Sequence, residues 1–264
     1  LNRFDEIQMR SDYQVAPQLS TYYYTINVTE PPLDDVRVRK AISYAIDREQ
    51  LVEEVTRAGQ IACWGIVPDM AGYEALQEEE RGGVLYDPEY AQQLLAEAGY
   101  PNGVGFPTIS VLYNTDDAHR QIAEFIQQQL KENLNINVVL ENQEWATYLA
   151  NRNSGNFQIA RAGWVGDYQD PNTFLDMFIT GAGMNGGKYS NAEYDALIQQ
   201  AATMAAGEER FNVLKQAENI LINQDQAIIP LYVYVSQNMI DTSKWGGWYP
   251  NTMDYHPTKD IYLK

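Results

Sequence analysis

Apolar residues along this chain alternate between short β-branched or aromatic runs and longer stretches with helical spacing. The run STYYYTINV, residues 20–28, predicts a strand, because aromatic and β-branched side chains suit a pleated surface. EPPLDD then breaks the chain. From a cap at Asp34 or Asp35, apolar residues Val36, Val38, Ala41, Ile42, Ala45, Ile46 and Leu51 recur at helical spacing to about Arg57. Residues 58–86 show no period and contain the break Gly82-Gly83. The next helix is well punctuated: Asp87 caps it, Pro88 takes its first position, Leu94 and Leu95 face inward, and Gly99 stops it.

PTISVLYN, residues 107–114, predicts a strand. A helix follows through Ile122, Phe125, Ile126 and Leu130, then the strand INVVLE. Strand, helix and strand in so short a span form a βαβ unit, which requires parallel pairing and a right-handed crossover. A short helix from Trp145 to Arg152 leads to the strand NFQIARAGW. Two further helices, NAEYDALIQQAATMA and EERFNVLKQAENILINQ, precede a last strand, IIPLYVYVS, residues 228–236. The first 20 residues and the tail from Gln237 are weakly patterned. Strands alternating with helices predict an α/β fold. The two aromatic strands bracket the compact part, as they would in a lobe inserted in a larger fold.

The chain has 264 residues, 45% of them hydrophobic, so it can bury a substantial core. Its formal net charge of −18 excludes a nucleic-acid partner, because no Lys/Arg patch is available to meet phosphates. The acidic surface chiefly confers solubility. A single cysteine, Cys63, allows no internal disulfide. The longest apolar run, AIIPLYVYV, is too short to span a bilayer. The chain begins LNRFDEIQ, without Met and without a signal-peptide pattern, and so reads as a piece of a longer product.

Enzymatic chemistry finds little to rest on. His119 and His256 are the only histidines and are far apart in sequence, and Cys63 has no partner at ligand spacing, so no metal and no cofactor are expected. No G-x-S-x-G and no Cys–His pattern is present. GAGMNG, residues 181–186, matches G-x-G-x-x-G only in letters. A strand does not precede it and a helix does not open on it, so it reads as a turn-forming loop.

The stretch ARAGWVGDYQDP, residues 160–171, leaves a strand and enters a turn before a new helix, the place where ligands collect in α/β sheets. Two readings are open on spacing alone. Asp167 or Asp170 caps the helix and pairs with Arg161, or Asp167 awaits an ammonium group and Arg161 a carboxylate.

PPLDDVRVRKAISYAIDREQLV, YDPEYAQQLLAEAGYPNG, LYNTDDAH, NQEWATYLANRNSGNFQIARAGWVGDYQDPNTFL and IIPLYVYVS together resemble the oligopeptide-binding proteins of ABC importers. The resemblance runs from about Thr21 to Val235. It implies a periplasmic-binding-protein-like lobe with a mixed, largely parallel sheet flanked by helices. Residues 1–20 would be a remnant of a first lobe and the hinge's incoming segment. Residues 21–235 would be the ligand-binding second lobe, and 236–264 the hinge exit and a tail returning to the first lobe.

By the same resemblance, Asp167 pairs with a peptide's α-amino group, Arg161 meets the C-terminal carboxylate of a short peptide, and His119 serves the same end. Arg152 lines the cleft, Trp145 and Trp164 form pocket walls, with Trp164 packed between the two charges. Tyr234 lies beside the cleft on the outgoing strand, and Asn114 ends the strand before His119. Thr56 stands where a family lysine is expected, and Asn153 where a second histidine often follows. Ser20 and Val165 occupy positions that some relatives join by a disulfide. The implied partners are an oligopeptide and a membrane ABC permease complex, with no nucleic acid. The implied state is a monomer with no enzymatic activity, periplasmic or otherwise extracytoplasmic. Other cargo stays open: a dipeptide, a sugar, a metal chelate or haem. So does a scaffold that binds nothing by itself.

Overall fold

In the computed structural model, which describes residues 4–76 and 86–264, the two aromatic strands lie side by side inside a six-stranded sheet. A short helix α1 (Phe4–Gln8) precedes β1 (Tyr13–Ile26), and α2 (Val36–Tyr44) and α3 (Arg48–Gln50) follow it. β2 (Ile61–Ala62), α4 (Pro88–Glu97), β3 (Ile109–Asn114), α5 (Asp117–Leu134) and β4 (Val138–Gln143) come next. Then come α6 (Trp145–Ser154), β5 (Ile159–Val165) and α7 (Asn172–Leu175). The chain closes with α8 (Ala192–Thr203), α9 (Glu208–Asn219), β6 (Ile228–Met239) and a small hairpin of β7 (Trp245–Gly246) and β8 (Tyr262–Leu263).

The sheet order is β2-β6-β1-β5-β3-β4. β3 pairs in parallel with β4, as the βαβ pattern requires, and on its other side in parallel with β5. The pairs β1–β5, β1–β6 and β2–β6 are antiparallel, so the sheet is mixed but not largely parallel. The cause is topological. β1 enters the sheet and β6 leaves it at the same end, so the two run in opposite directions.

Both bracketing strands are longer than their aromatic runs suggest. β1 begins at Tyr13, and Tyr13–Pro17 pairs with Val235–Met239 beyond the last β1–β5 pair, Ser20 opposite Val165. This two-stranded ribbon leaves the body of the sheet. At its root the register slips: Gln18, Leu19 and Ser20 on β1 lie opposite Tyr234 alone, between the pairs Pro17–Val235 and Thr21–Val233. Such a bulge bends the strand that carries it.

The helix that the spacing extends to Arg57 is instead interrupted. Asp35 caps α2 by accepting from the Arg37 amide, but the chain turns at Ala45–Ile46 and Asp47 caps a second start at α3. The remainder, Leu51–Thr56, is wound as a π-helix ending on left-handed Arg57. Buried Arg48 stabilises the break by donating to the carbonyls of Ser43, Ile46 and Pro230. The expected cap of α4 is present at Asp87, and Asp116 caps α5 by accepting from the Ala118 and His119 amides. Gly82-Gly83 lie outside the described residues.

Period-2 alternation sends side chains to opposite faces of the sheet, and each face has its own core. One joins Tyr22, Tyr24 and Tyr232 to α2, α4 and α5. The other joins Tyr23, Ala162 and Phe174 to α8 and α9, with a satellite around Tyr148 of α6. The GAGMNG loop is a built turn: the Asn185 amide donates to the carbonyls of Ile179 and Tyr189 and accepts from the Tyr189 amide. Among the described residues no helix is long and apolar enough to cross a membrane.

Candidate ligand-binding site

Because β3, β4 and β5 are parallel, their carboxyl ends share one edge, and the helices that follow β3 and β4 start there. Asn114 ends β3, His119 lies in the first turn of α5, Trp145 opens α6, and Arg161 precedes the end of β5. This is the edge at which ligands bind in α/β sheets.

Arg161 is the central group. Its Nη2 donates to the Tyr234 hydroxyl at 3.1 Å and its Nη1 reaches Asn114 Oδ1 at 3.5 Å. Its guanidinium lies 5.0 Å from the centroid of the Tyr22 ring, a cation–π contact. Its Nε is buried with no hydrogen-bond partner. None of these partners is acidic. The contrast with buried Arg39 is instructive: that side chain ends on the carbonyls of Leu33, Asp34, Asp225 and Gln226 and is satisfied by them. A largely buried cation held only by neutral groups, with one donor unused, favours an incoming carboxylate.

His119 belongs to the same group. Its Nδ1 hydrogen-bonds the Tyr22 hydroxyl at 3.3 Å, and the rings lie 5.6 Å apart. Burial, then the positive charge of Arg161, pushes its pKa down to about 4, so the ring is neutral at neutral pH. Tyr22 stacks on Tyr232 at 4.8 Å, which fixes the floor of the group. Tyr148 donates its hydroxyl to the Arg161 carbonyl from the opposite face and holds the backbone of β5.

Asp167 lies in the loop after β5 with its side chain exposed. Its amide donates to Thr173 Oγ1 at 3.1 Å, while its carboxylate makes no ion pair among the described residues. The pairing between Arg161 and an aspartate of this loop, one of the two readings of the sequence, does not form. Asp170 Oδ1 accepts from the Asn172 amide at 2.9 Å just ahead of α7, and its carboxylate takes a bidentate ion pair from Arg210.

The structure thus brings together Arg161, His119, Tyr234 and Asn114, and it places Asp167 apart from them, in the loop beside Thr173 and Asp176. It places the others elsewhere. Trp164 does not pack between Arg161 and Asp167. Alternation along β5 turns it to the face of Ala162, where it lies against the second core with its indole Nε1 buried and unpartnered. Arg152 is buried one helical turn beyond Tyr148 on α6, on that same face. Trp145 is about half exposed and stacks on Tyr148 at 5.6 Å. Sequence reasoning missed Tyr22 and Tyr148. The signal for Tyr22 was the alternation in TYYYT, which puts Tyr22 and Tyr24 on one face. Among the described residues no cluster of three His, Cys, Asp or Glu could hold a metal ion.

A buried arginine with neutral partners at the carboxyl edge of parallel strands stands where ligands collect in α/β sheets. The model of bacterial extracellular solute-binding proteins, family 5 Middle, matches residues 2–186, and the chain belongs to this family. It is 35% identical over 260 residues to the periplasmic oligopeptide-binding protein OppA of Escherichia coli, covering 97% of this chain and 47% of that protein. Among solved structures it resembles a periplasmic oligopeptide-binding protein of Borrelia burgdorferi, 42% identical with a TM-score of 0.86, covering 100% of this chain and 52% of that one. It also resembles Haemophilus influenzae OppA in complex with the peptide RPPGFSPFR, 29% identical with a TM-score of 0.83, covering 99% of this chain and 52% of that one. The chain spans about half the length of the curated relatives it matches.

Proposed function

We propose that this chain is the second lobe of a two-lobed extracytoplasmic protein that captures oligopeptides and delivers them to a membrane ABC permease, without breaking a bond. The observation that carries the reading is Arg161: a largely buried guanidinium with neutral partners only, on the strand that leads into the loop of Asp167. A zwitterionic chain answers both charges. Asp167 takes its α-amino group by charge-assisted hydrogen bonds, and Arg161 with neutral His119 takes a carboxylate. Between its ends an extended peptide offers backbone N–H and C=O groups that bind without reading sequence.

The terminal segments support a second lobe. Met9, Val15, Met239, Trp245, Tyr249, Tyr255, Tyr262 and Leu263 are all exposed, and all lie in or beyond the ribbon formed by Tyr13–Pro17 and Val235–Met239. So much apolar surface on the two chain ends suits burial against a further domain. In this reading residues 1–20 and 236–264 belong to the first lobe and its hinge, residues 21–235 form the second lobe, and closure turns on the bulge opposite Tyr234. The relatives named as periplasmic oligopeptide-binding proteins support the same cargo and compartment. A monomer suffices, since the cleft lies between lobes of one chain. The test is native mass spectrometry of the full-length protein purified without added ligand. Co-purifying short peptides with free termini support the reading, and a different class of bound molecule overturns it.

A further inference from the structure

We propose that Arg210, on a helix that supplies nothing to the cleft, is a positioning residue for the amine anchor Asp167. The inference rests on the peptide reading above and adds a residue to it.

An exposed carboxylate with no hydrogen bonds of its own can be aimed only by its backbone, so the loop from Gly166 to Thr173 decides where Asp167 points. One end is fixed where the Gly166 amide donates to the Leu19 carbonyl at 2.8 Å. The other end is fixed by Asp170. Its carbonyl accepts from the Thr173 amide at 3.2 Å and its Oδ1 accepts from the Asn172 amide at 2.9 Å. Thr173, placed in this way and fully buried, offers the Oγ1 that accepts from the Asp167 amide.

Arg210 holds Asp170 in turn. Nη1 donates to Oδ2 at 2.5 Å and Nη2 to Oδ1 at 2.9 Å, a two-pronged pair whose side chains are only 11% and 20% exposed. Its Nε donates to the Ala201 carbonyl at the end of α8 at 2.9 Å, so the guanidinium cannot swing. The restraint also works against a repulsion. Asp176 carries a half-buried carboxyl whose pKa is raised by burial and then by the charge of Asp167, so the two acids repel. A loosened loop would let Asp167 turn away from Asp176 and from the cleft. Lysine at 210 keeps a charge but loses the fork.

The experiment uses the full-length protein and two variants, Arg210→Lys and Asp170→Asn. Competition calorimetry measures the affinity ratio between tri-alanine and N-acetyl-tri-alanine, and thermal unfolding confirms that each variant folds. The expected result is a preference for the free amine that falls about tenfold in both variants, within the range for groups coupled through one network. A ratio unchanged in both overturns the inference and leaves the peptide reading standing. Equal weakening of both ligands also overturns it, since that is the mark of a merely structural role. A wild-type protein with no preference for the free amine removes the anchor itself, and the inference with it.

Discussion

Arg161 on β5 and Tyr234 on β6 meet across the intervening strand β1, with 3.1 Å between Nη2 and the hydroxyl and the Tyr22 ring beneath the guanidinium. Gly163 is what leaves room for this contact. A Cβ there would lie 3.1 Å from the Tyr234 hydroxyl and 3.4 Å from Arg161 Nη2. Gly163→Ala should therefore displace the pair by a few tenths of an ångström without unfolding the lobe. Its expected effect is roughly a tenfold loss of affinity for peptides with a free C-terminal carboxylate. Calorimetry on the full-length variant checks this, and an affinity equal to wild type would show that the contact is dispensable.

His119 supplies a second prediction. Its folded pKa of about 4 lies below the ordinary 6.5, so its contribution to stability is present above pH 6.5 and is lost as pH falls through 4. An NMR titration of the full-length protein should show the His119 midpoint near 4. In Arg161→Met the midpoint should rise, because the second of the two causes is gone. A midpoint unmoved by that substitution would place Arg161 too far away to be felt.

Ser20 and Val165 face each other across β1 and β5, and the Gly166 amide donates to the Leu19 carbonyl at the adjacent pair. Ser20–Val165 is therefore a non-hydrogen-bonded pair, with Cα atoms about 4.5 Å apart, within disulfide reach. Ser20→Cys with Val165→Cys should oxidise to an intramolecular disulfide on purification. Thiol titration and the melting temperature under oxidising and reducing conditions check it. With Cys63 also present, the oxidised variant should titrate one thiol, and three would contradict the register.

Glu218 on α9 is fully buried, accepts from the Ile66 and Val67 amides at 2.7 and 2.9 Å, and takes a 2.5 Å contact from the Tyr73 hydroxyl. Burial raises its pKa from 4.5 to about 7. The sign follows directly: the protonated form is favoured in the folded state, so the stabilisation is full below pH 4.5 and disappears as pH rises through 7. The whole change amounts to roughly 3 kcal/mol. Glu218→Gln keeps the acceptor for both amides and should flatten denaturant stability between pH 4.5 and 7 relative to wild type. Parallel pH slopes for the two proteins would rule out Glu218 as the titrating group.

The sequence was most legible where local chemistry and tertiary packing agree. Asp87, Pro88 and Gly99 delimit α4, because caps and stops depend on a few neighbouring atoms. The break at Asp47 was hidden because Ala45 and Ile46 continue a helical spacing, and both remain buried on either side of the turn. The early start of β1 was hidden because Tyr13–Pro17 pairs only with β6 and leaves Val15 half exposed, so no strong alternation marks it. At the site, the resemblance named individual side chains, but their grouping in space was not readable from it. Trp164 lies three residues from Arg161 and so on the other face of the strand. Arg210 is 40 residues from Asp170, and nothing in either segment announces the pair.

The central claim is that Asp167 and Arg161 hold the two charged ends of a peptide. The most direct measurement is calorimetry of the full-length protein with one short peptide in three forms: free, N-acetylated and C-amidated. Each block should cost roughly 2–4 kcal/mol, as removing one partner of a desolvated charge pair does. Asp167→Ala should abolish the penalty of acetylation alone, and Arg161→Met the penalty of amidation alone. Equal affinity for all three forms would contradict the account.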